Sequence, residues 1–520
     1  MKQNLLFVCF LLACFLSKAQ SKVFKEVSDE ISSQVNVIKQ DNALVGYLVF
    51  TRLEKASTDS FNYRITIIDE NLNDIGTVNF KDENLILQAV AFEQDVLCLS
   101  YLKSNVIGTD FKNRKEYKRA MNNAKNFVLT QFLGLNGKTI NVNTAKVDIN
   151  VERDLYNRGK LSGTGSLKHS LQLRNIPGKG FASFYGDEQS NLLSVYDLSG
   201  KEVWKKKVST LGKAFYLHTS NDNIYLLSKN EGEKIEGGYE VTGYNYADNI
   251  AFDKYTLKDR KGNSLKVLGF DNDPATGKAY LTGTIISPEM NGLYTMKDVT
   301  KGPYAGVFTI NLNGPKRADY KETFSYWNTG ANAAISDRGK VVESDAYSLL
   351  TNGFKDYQGN TYFVGSSVIR RIKWGSIVSS VVLAPLFVVS PLILIGGGTT
   401  KCKVTDAMLL KQNTNGTLTY DNTIPCNSTS FRPGRAPLNM YGPQKSFYHV
   451  ANSDTKNDYV IVDDIKDIVI YNVTGKKVAK TIPHKNGGIR TFVYPAKEGH
   501  VMVAEYNKNE KYTRVSIESL

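Results

Sequence analysis

The chain is poor in the residues that most often carry chemistry. Its 520 residues include only five Cys and five His. Cys9 and Cys14 fall in an apolar N-terminal run, which leaves Cys98, Cys402 and Cys426. None of these stands in a CxxC pair or at a Cys/His spacing suited to zinc. No His lies in an HExxH motif, and no GxSxG nucleophile elbow occurs. Gly396-Gly397-Gly398-Thr399-Thr400 lacks the Gly-Lys-Ser/Thr of a phosphate loop and reads as a flexible exit from the segment before it. Asp and Glu are scattered through turns, so no carboxylate pair for glycoside hydrolysis stands out. Asp271 to Gly277 lacks the terminal Glu and helical flanks of a calcium-binding EF-hand, and a β-turn accounts for it. The expectation is therefore no catalytic constellation, no metal and no cofactor.

What is present points to strands and to export. Hydrophobic content is 41% and charged content 22%, an ordinary globular composition, and 29 Tyr and 24 Phe favour β-structure. Lys2, the apolar run Leu5 to Leu16 and the small residues Ser17 and Ala19 read as a secretory leader cleaved before Gln20, residues 1–19. Leu11-Leu12-Ala13-Cys14 is a competing lipoprotein box with Cys14 as the lipidated residue. Removing Lys2 and Lys18 lowers the formal net charge from +14 to +12. A basic surface of this kind favours anionic partners such as lipid headgroups, acidic polysaccharides or nucleic acid.

A repeat organises residues 20–520. Strand, Gly-containing turn and strand recur around Gly76, Gly137, Gly200, Gly262, Gly314, Gly416 and Gly475, with spacings of 61, 63, 62, 52, 102 and 59 residues. Gly at such turns supplies the positive φ that tight hairpins need. A period of about 60 residues with four strands each is the signature of propeller blades. Three strands precede each Gly turn and one follows. The C-terminus supplies only three, Arg490 to Tyr494, His500 to Tyr506 and Tyr512 to Leu520. The segment Lys22 to Val27 is then the missing fourth, shared between the termini. The expected fold is all-β, a single propeller of about eight four-stranded blades. Seven blades is the alternative, and two separate β-domains is the competing architecture.

Two insertions interrupt the repeat. At about 105–126, Lys112, Arg114, Lys115, Lys118 and Arg119 accompany Tyr117, Ala120, Met121 and Ala124 at helical spacing, which predicts a short basic helix. Its aromatics are too sparse for nucleic acid, and no nucleic-acid partner is expected. At about 370–402, Arg370-Arg371-Ile372-Lys373-Trp374 leads into Ile377 to Ile395, which carries no charge. Trp374, Ile377, Val382, Leu386, Phe387, Leu392 and Ile395 are the candidate binding residues here. Length and flanks fit a membrane span. Both flanking segments read as strands of one blade, however, and Pro385 and Pro391 interrupt a helix. Three readings remain: a hairpin dipping into a membrane, packing on the propeller itself, or docking to a protein partner.

His218 and His449 fall in equivalent first strands and are candidates to face the central channel. Cys402 and Cys426 flank a predicted hairpin and are candidates to pair. The leader end Leu16-Ser17-Lys18-Ala19-Gln20, the Tyr/Asn/Lys-rich strands and the repeated Gly-Lys turns resemble exported, uncharacterised propeller-like proteins of Bacteroidota. That resemblance covers nearly the whole chain. It implies a periplasmic, outer-membrane-associated or extracellular location and brings no catalytic residues with it. The functional expectation is a non-enzymatic binding or scaffold propeller of the cell envelope, docking to an envelope protein or membrane surface through the apolar insertion. A secreted glycan-active hydrolase or lyase using channel-facing residues is the alternative.

Overall fold

In the computed structural model the repeat folds into eight antiparallel sheets that form the blades of one β-propeller. The structure describes the chain apart from residues 1–20, 26–31, 41–42, 58–59, 106–112, 148–169, 187–190, 209–213, 230–237, 248–249, 253, 291–295, 328–334, 337, 343, 373–399, 432–444, 508 and 511. The leader, Cys14, Lys112 and Trp374 to Gly398 therefore lie outside the described residues.

Blade 8 contains β1 (Ser21–Lys25) and is described last. Blade 1 is β2 (Ser32–Gln40), β3 (Ala43–Ser57), β4 (Ser60–Asp69) and β5 (Asp74–Asp82). Blade 2 is β6 (Leu85–Glu93), β7 (Val96–Ser104), β8 (Asn126–Gly134) and β9 (Thr139–Lys146), with helix α1 (Arg114–Asn122) between β7 and β8. Blade 3 is β10 (Ser170–Ile176), β11 (Gly180–Gly186), β12 (Asn191–Asp197) and β13 (Glu202–Lys207). Blade 4 is β14 (Ala214–Ser220), β15 (Asn223–Lys229), β16 (Tyr239–Asn245) and the short β17 (Tyr255–Thr256). Blade 5 is β18 (Leu265–Asn272), β19 (Ala279–Ile286), β20 (Tyr304–Leu312) and β21 (Tyr320–Tyr326), with helix α2 (Met296–Val299) between β19 and β20.

Blade 6 adds β22 (Lys340–Val341) before its four strands β23 (Ala346–Lys355), β24 (Thr361–Ile372), β25 (Thr400–Gln412) and β26 (Leu418–Ile424), and β27 (Thr429–Phe431) also pairs with β25. Blade 7 is β28 (Ser446–Asn452), β29 (Asn457–Asp463), β30 (Asp467–Asn472) and β31 (Lys477–Pro483). Blade 8 runs from β32 (Lys485–Asn486) through β33 (Ile489–Pro495), β34 (His500–Asn507) and β35 (Tyr512–Ser519) to β1.

Burial explains why the sequence reads as it does. The second strands lie between two neighbouring blades, so β7 and β19 are buried along nearly all their length and read as apolar runs. The fourth strands form the rim, and β5 alternates between exposed and half-buried positions. Between blades the sheets are joined by apolar clusters. The cluster between blades 1 and 2 joins Phe50, Tyr63 and Ile65 to Leu97, Leu99 and Tyr101, with the Phe50 and Tyr63 rings stacked at 5.2 Å.

The expected closure of the ring is present. β1 pairs with β35 from Ser21 opposite Ser516 to Lys25 opposite Tyr512. Phe24, Met502, Val515 and Ile517 then pack against Leu44, Tyr47 and Val49 of β3. Lys497 donates to the Asn71 side chain across the same junction.

One repeat marker is out of phase. Gly76, Gly137, Gly200, Gly314, Gly416 and Gly475 accompany the hairpin between third and fourth strands. Gly262 follows β17 and belongs to the connection from blade 4 to blade 5, bracketed by the Lys258–Ser264 bridge. The short spacing of 52 residues comes from this displaced turn. The blade count is unaffected because blade 4 is still present.

The Asp residues of the turns have a shared task. At Asp197-Leu198-Ser199-Gly200-Lys201 the Asp197 carboxylate accepts the Lys201 N–H at 3.0 Å, and Gly200 has φ of 75°. Asp259 and Asp356 do the same for Asn263 at 2.7 Å and Asn360 at 2.8 Å. These carboxylates hold backbone turns together, which is why they form no acid/base pair. Asp273 in the calcium-like stretch accepts the Ala275 and Thr276 N–H groups, the expected β-turn.

Candidate functional site

Strand direction divides the propeller into two faces. In an antiparallel four-stranded blade, the connections from first to second and from third to fourth strand fall at one end. Those from second to third strand, and from each blade to the next, fall at the other. The first end carries the tight turns. The second carries α1, α2 and the junction of β24 with β25, so both predicted insertions emerge on one loop face.

The basic insertion is helical as expected. Asn113 caps α1 by accepting the Lys115 and Glu116 N–H groups at 3.1 and 2.9 Å. Arg114, Lys115, Lys118 and Arg119 are all exposed on it. At the apolar insertion, β24 and β25 stay paired up to Ile372 opposite Thr400. The two ends of the segment therefore leave blade 6 side by side. Trp374, Ile377, Val382, Leu386, Phe387, Leu392 and Ile395 themselves lie beyond the described residues. Among the described residues no helix is long and apolar enough to cross a membrane.

The two histidines do lie on first strands, β14 and β28, yet each is turned into a seam between blades. His218 is only 4% exposed. Its ring packs on Phe270 of β18 at 4.4 Å, and its Nε2 meets Asn272 Oδ1 at 2.9 Å. Burial lowers its pKa to about 4 against an opposing pull from Asp271, so the ring is neutral at pH 7. His449 stacks on Phe354 of β23 at 4.0 Å and meets Asp458 Oδ1 at 2.8 Å. Phe270 and Phe354 thus fill the space beside each imidazole, which accounts for the strand position without a ligand.

The expected pairing of Cys402 with Cys426 is not made. Cys402 sits in the cluster with Trp327, Val404 and Met408, whereas Cys426 packs against the cluster of Phe354, Ala407 and Phe447 on the blade 7 side. The β25 sheet separates them, and a disulfide cannot pass through a sheet.

A cleft of about 80 Å³ lies between blades 2 and 3. Blade 2 contributes Thr130 of β8 and Asn143 of β9, and blade 3 contributes Ser183 and Tyr185 of β11 with Ser194 and Tyr196 of β12. Glu202 and Lys205 of β13 stand at its side, 3.7 Å apart. Period-2 alternation creates this lining. On β7, Leu97, Leu99 and Tyr101 face blade 1, so Cys98 and Ser100 face blade 3. Phe181, Ser183 and Tyr185 follow the same alternation on β11.

The Tyr196 hydroxyl interacts with those of Ser194 and Thr130, and burial pushes its pKa up to about 12. Ser100 lies directly opposite Thr130 in the β7–β8 ladder, is 0% exposed, and its Oγ has no hydrogen-bond partner. Burial likewise raises the Cys98 thiol well above its usual range, so it is an inert packing group.

Sequence reading passed over this cleft. The available signal was small polar residues at matching depth in largely apolar strands: Thr130, Ser183 and Ser194. Among the described residues, no three His, Cys, Asp or Glu side chains gather as a metal site.

Fold and surface together define an eight-bladed β-propeller with an elaborated loop face. Within that class, the chain belongs to the DUF6770 family, a family of unknown function, matched over residues 1–433. Comparison with curated proteins finds no match. Among solved structures the chain is similar to the Dos1 propeller, at 8% identity and TM-score 0.43, covering 95% of this chain and 94% of that one. It is also similar to the WD40 domain of SCAP from fission yeast, at 10% identity and TM-score 0.39, covering 96% and 98%. A third is apo AztD from Citrobacter koseri, at 9% identity and TM-score 0.39, covering 91% and 95%. Likeness at this level speaks to fold alone, and the blade architecture rests on the sheet pairings.

Proposed function

We propose that this protein is an exported, non-enzymatic binding or scaffold propeller of the cell envelope, docked to a partner protein or membrane through its apolar insertion. The observation that carries the reading is the junction at Ile372 and Thr400. The uncharged stretch Ile377 to Ile395 lies between Ile372 and Thr400, which are opposite each other in one antiparallel ladder. A segment tethered in this way goes out and returns to the same side, which fits docking and does not fit a single bilayer crossing. The leader-like residues 1–19 support export. The enzymatic alternative draws less support, because His218 and His449 occupy separate seams and are packed against Phe270 and Phe354.

The test is deletion of Ile377 to Ile395 with a short Gly-Ser bridge, followed by cell fractionation and crosslinking in the native host. The deleted protein is expected to move to the soluble fraction or to lose its crosslinked partners. Unchanged location together with unchanged partners would overturn the reading.

A further inference from the structure

We infer that the loop face of the propeller lies on an anionic lipid bilayer, with α1 meeting the headgroups on the side of the ring opposite the apolar insertion. This rests on the docking reading above and commits it to membrane rather than protein. Three observations converge on it.

The first is the arrangement of charge on α1. Arg114, Lys115, Lys118 and Arg119 are exposed, and Glu116 is the one acid of the helix. At roughly 100° per residue, the four cations fall within an arc of about 140° on one side of the helix. Glu116 and the half-buried Ala120 lie outside that arc. One carboxylate cannot neutralise four cations, so this side stays positive whichever ion pair Glu116 makes. Anionic headgroups are attracted to a clustered cationic face of this kind.

The second is what shares the loop face. Val342, in the connection between β22 and β23, is 60% exposed. Ile465, between β29 and β30, is 43% exposed, with the exposed Lys466 beside it. These connections lie at the loop-face ends of blades 6 and 7, the blade that carries the apolar insertion and its neighbour. Cations alone would suit any polyanion. Cations together with exposed aliphatic side chains suit the boundary of a bilayer, where phosphates and acyl chains adjoin. An acidic polysaccharide offers the aliphatic groups nothing.

The third is spacing. Blades 2 and 6 stand on opposite sides of the ring, so α1 and the junction of Ile372 with Thr400 bracket the same face. A small ligand cannot reach both, whereas a flat bilayer meets the two at once. A basic patch and an apolar element are two signals that together hold a peripheral protein on a membrane, where one alone holds it weakly.

The experiment uses residues 20–520 in co-sedimentation with sucrose-loaded vesicles, made of phosphatidylcholine alone or of equal parts phosphatidylcholine and phosphatidylglycerol. The parent is expected to bind the anionic vesicles at least tenfold more tightly than the neutral ones at low salt, with the ratio falling at high salt. Lys118→Glu/Arg119→Glu is expected to weaken binding to anionic vesicles at least tenfold and to leave binding to neutral vesicles within about twofold. Lys138→Glu/Lys201→Glu makes the same charge change in exposed turns of the opposite face. That pair is expected to stay within about threefold of the parent. Ile465→Ser is expected to weaken binding to both kinds of vesicle two- to fivefold. Thermal melts of each variant check that the fold is retained.

The inference is overturned if anionic and neutral vesicles bind alike, if Lys118→Glu/Arg119→Glu binds as the parent does, or if the turn-face pair weakens binding as much as the α1 pair. Deletion of Ile377 to Ile395 might release the protein from its cellular location while the parent has no affinity for either vesicle. That result would keep the docking reading, with a protein as the partner, and overturn this inference alone.

Discussion

The two faces of the blade 2 sheet are built from the same strands and do opposite things. Toward blade 1, Leu97, Leu99 and Tyr101 close on Phe50, Tyr63 and Ile65 with stacked rings. Toward blade 3, Thr130 and Asn143 face Ser183, Ser194 and Tyr196 across a cavity. The same seam is apolar around Cys98, Phe132 and Phe181 and again at Val128, Ala145, Val147 and Leu192. A ring of eight blades gains stability from every seam, so a seam that gives up apolar contact for hydroxyls is a place where stability is not the controlling demand. The contrast separates a seam closed by stacked rings from one lined by hydroxyls that bond to each other, Tyr196 with Ser194 and Thr130.

Mutations can break or sharpen this contrast, beginning where polarity is itself structural. Lys355 of β23 is 5% exposed, and its ammonium reaches Asp273 at 2.6 Å and Asn311 at 2.5 Å across the seam between blades 5 and 6. Lys355→Met leaves Asp273 buried without its cation and is expected to cost about 3–5 kcal/mol, read as a fall in the urea unfolding midpoint.

Leu99→Ala on the apolar side of blade 2 is expected to cost about 3–4 kcal/mol by the same measurement. If it proved harmless, the apolar seam would not be the stabilising one.

His218 tests a third seam through pH. Its folded pKa of about 4 lies below the ordinary 6.5, so between those values the unfolded chain binds more protons. Its contribution is fully present above about pH 6.5 and is lost as pH falls towards 4. The loss amounts to about 2–3 kcal/mol. His218→Gln should flatten the stability profile in that window, and an unchanged acid limb would sink the assignment.

The smallest effect is expected at Ser100→Ala. Removing a hydroxyl that has no partner should leave stability within about 1 kcal/mol of the parent, or raise it slightly.

Much of this architecture was legible from periodicity. Turn glycines gave the blade period, and the three unmatched C-terminal strands pointed to the strand now seen at Ser21–Lys25. These signals are local, since a Gly at positive φ, as at Gly137, Gly200 and Gly416, marks a tight turn where it stands, and strand alternation is visible in any short window. Gly262 shows the weakness of the same signal. The Asp259 turn that surrounds it has the chemistry of a hairpin turn, but it links two blades. The Cys402–Cys426 expectation failed because proximity along a hairpin does not reveal which side of a sheet a residue faces, and a bulge between Leu409 and Leu410 shifts the register on the way. The cleft was illegible for a related reason. Thr130 and Ser194 are 64 positions apart and meet only when two blades stack, which no local pattern records. Helix α1 was readable because its residues are neighbours in sequence.

The pairing of β1 with β35 also sets an order of events. Until Tyr512 to Ser519 has been made, the strand Ser21–Lys25 has no partner, although it is among the first segments synthesised. Contacts so distant along the chain carry the highest loop-closure cost and form late. During that wait β1 and the unfinished last blade each have an open edge, able to pair with a strand from another chain. A chain passing through a translocation channel N-terminus first would prolong the wait. The shared blade is thus a clasp whose two halves arrive at opposite ends of synthesis, and loss of Ser21–Lys25 or of Tyr512–Ser519 would leave seven complete blades and a ring that cannot shut.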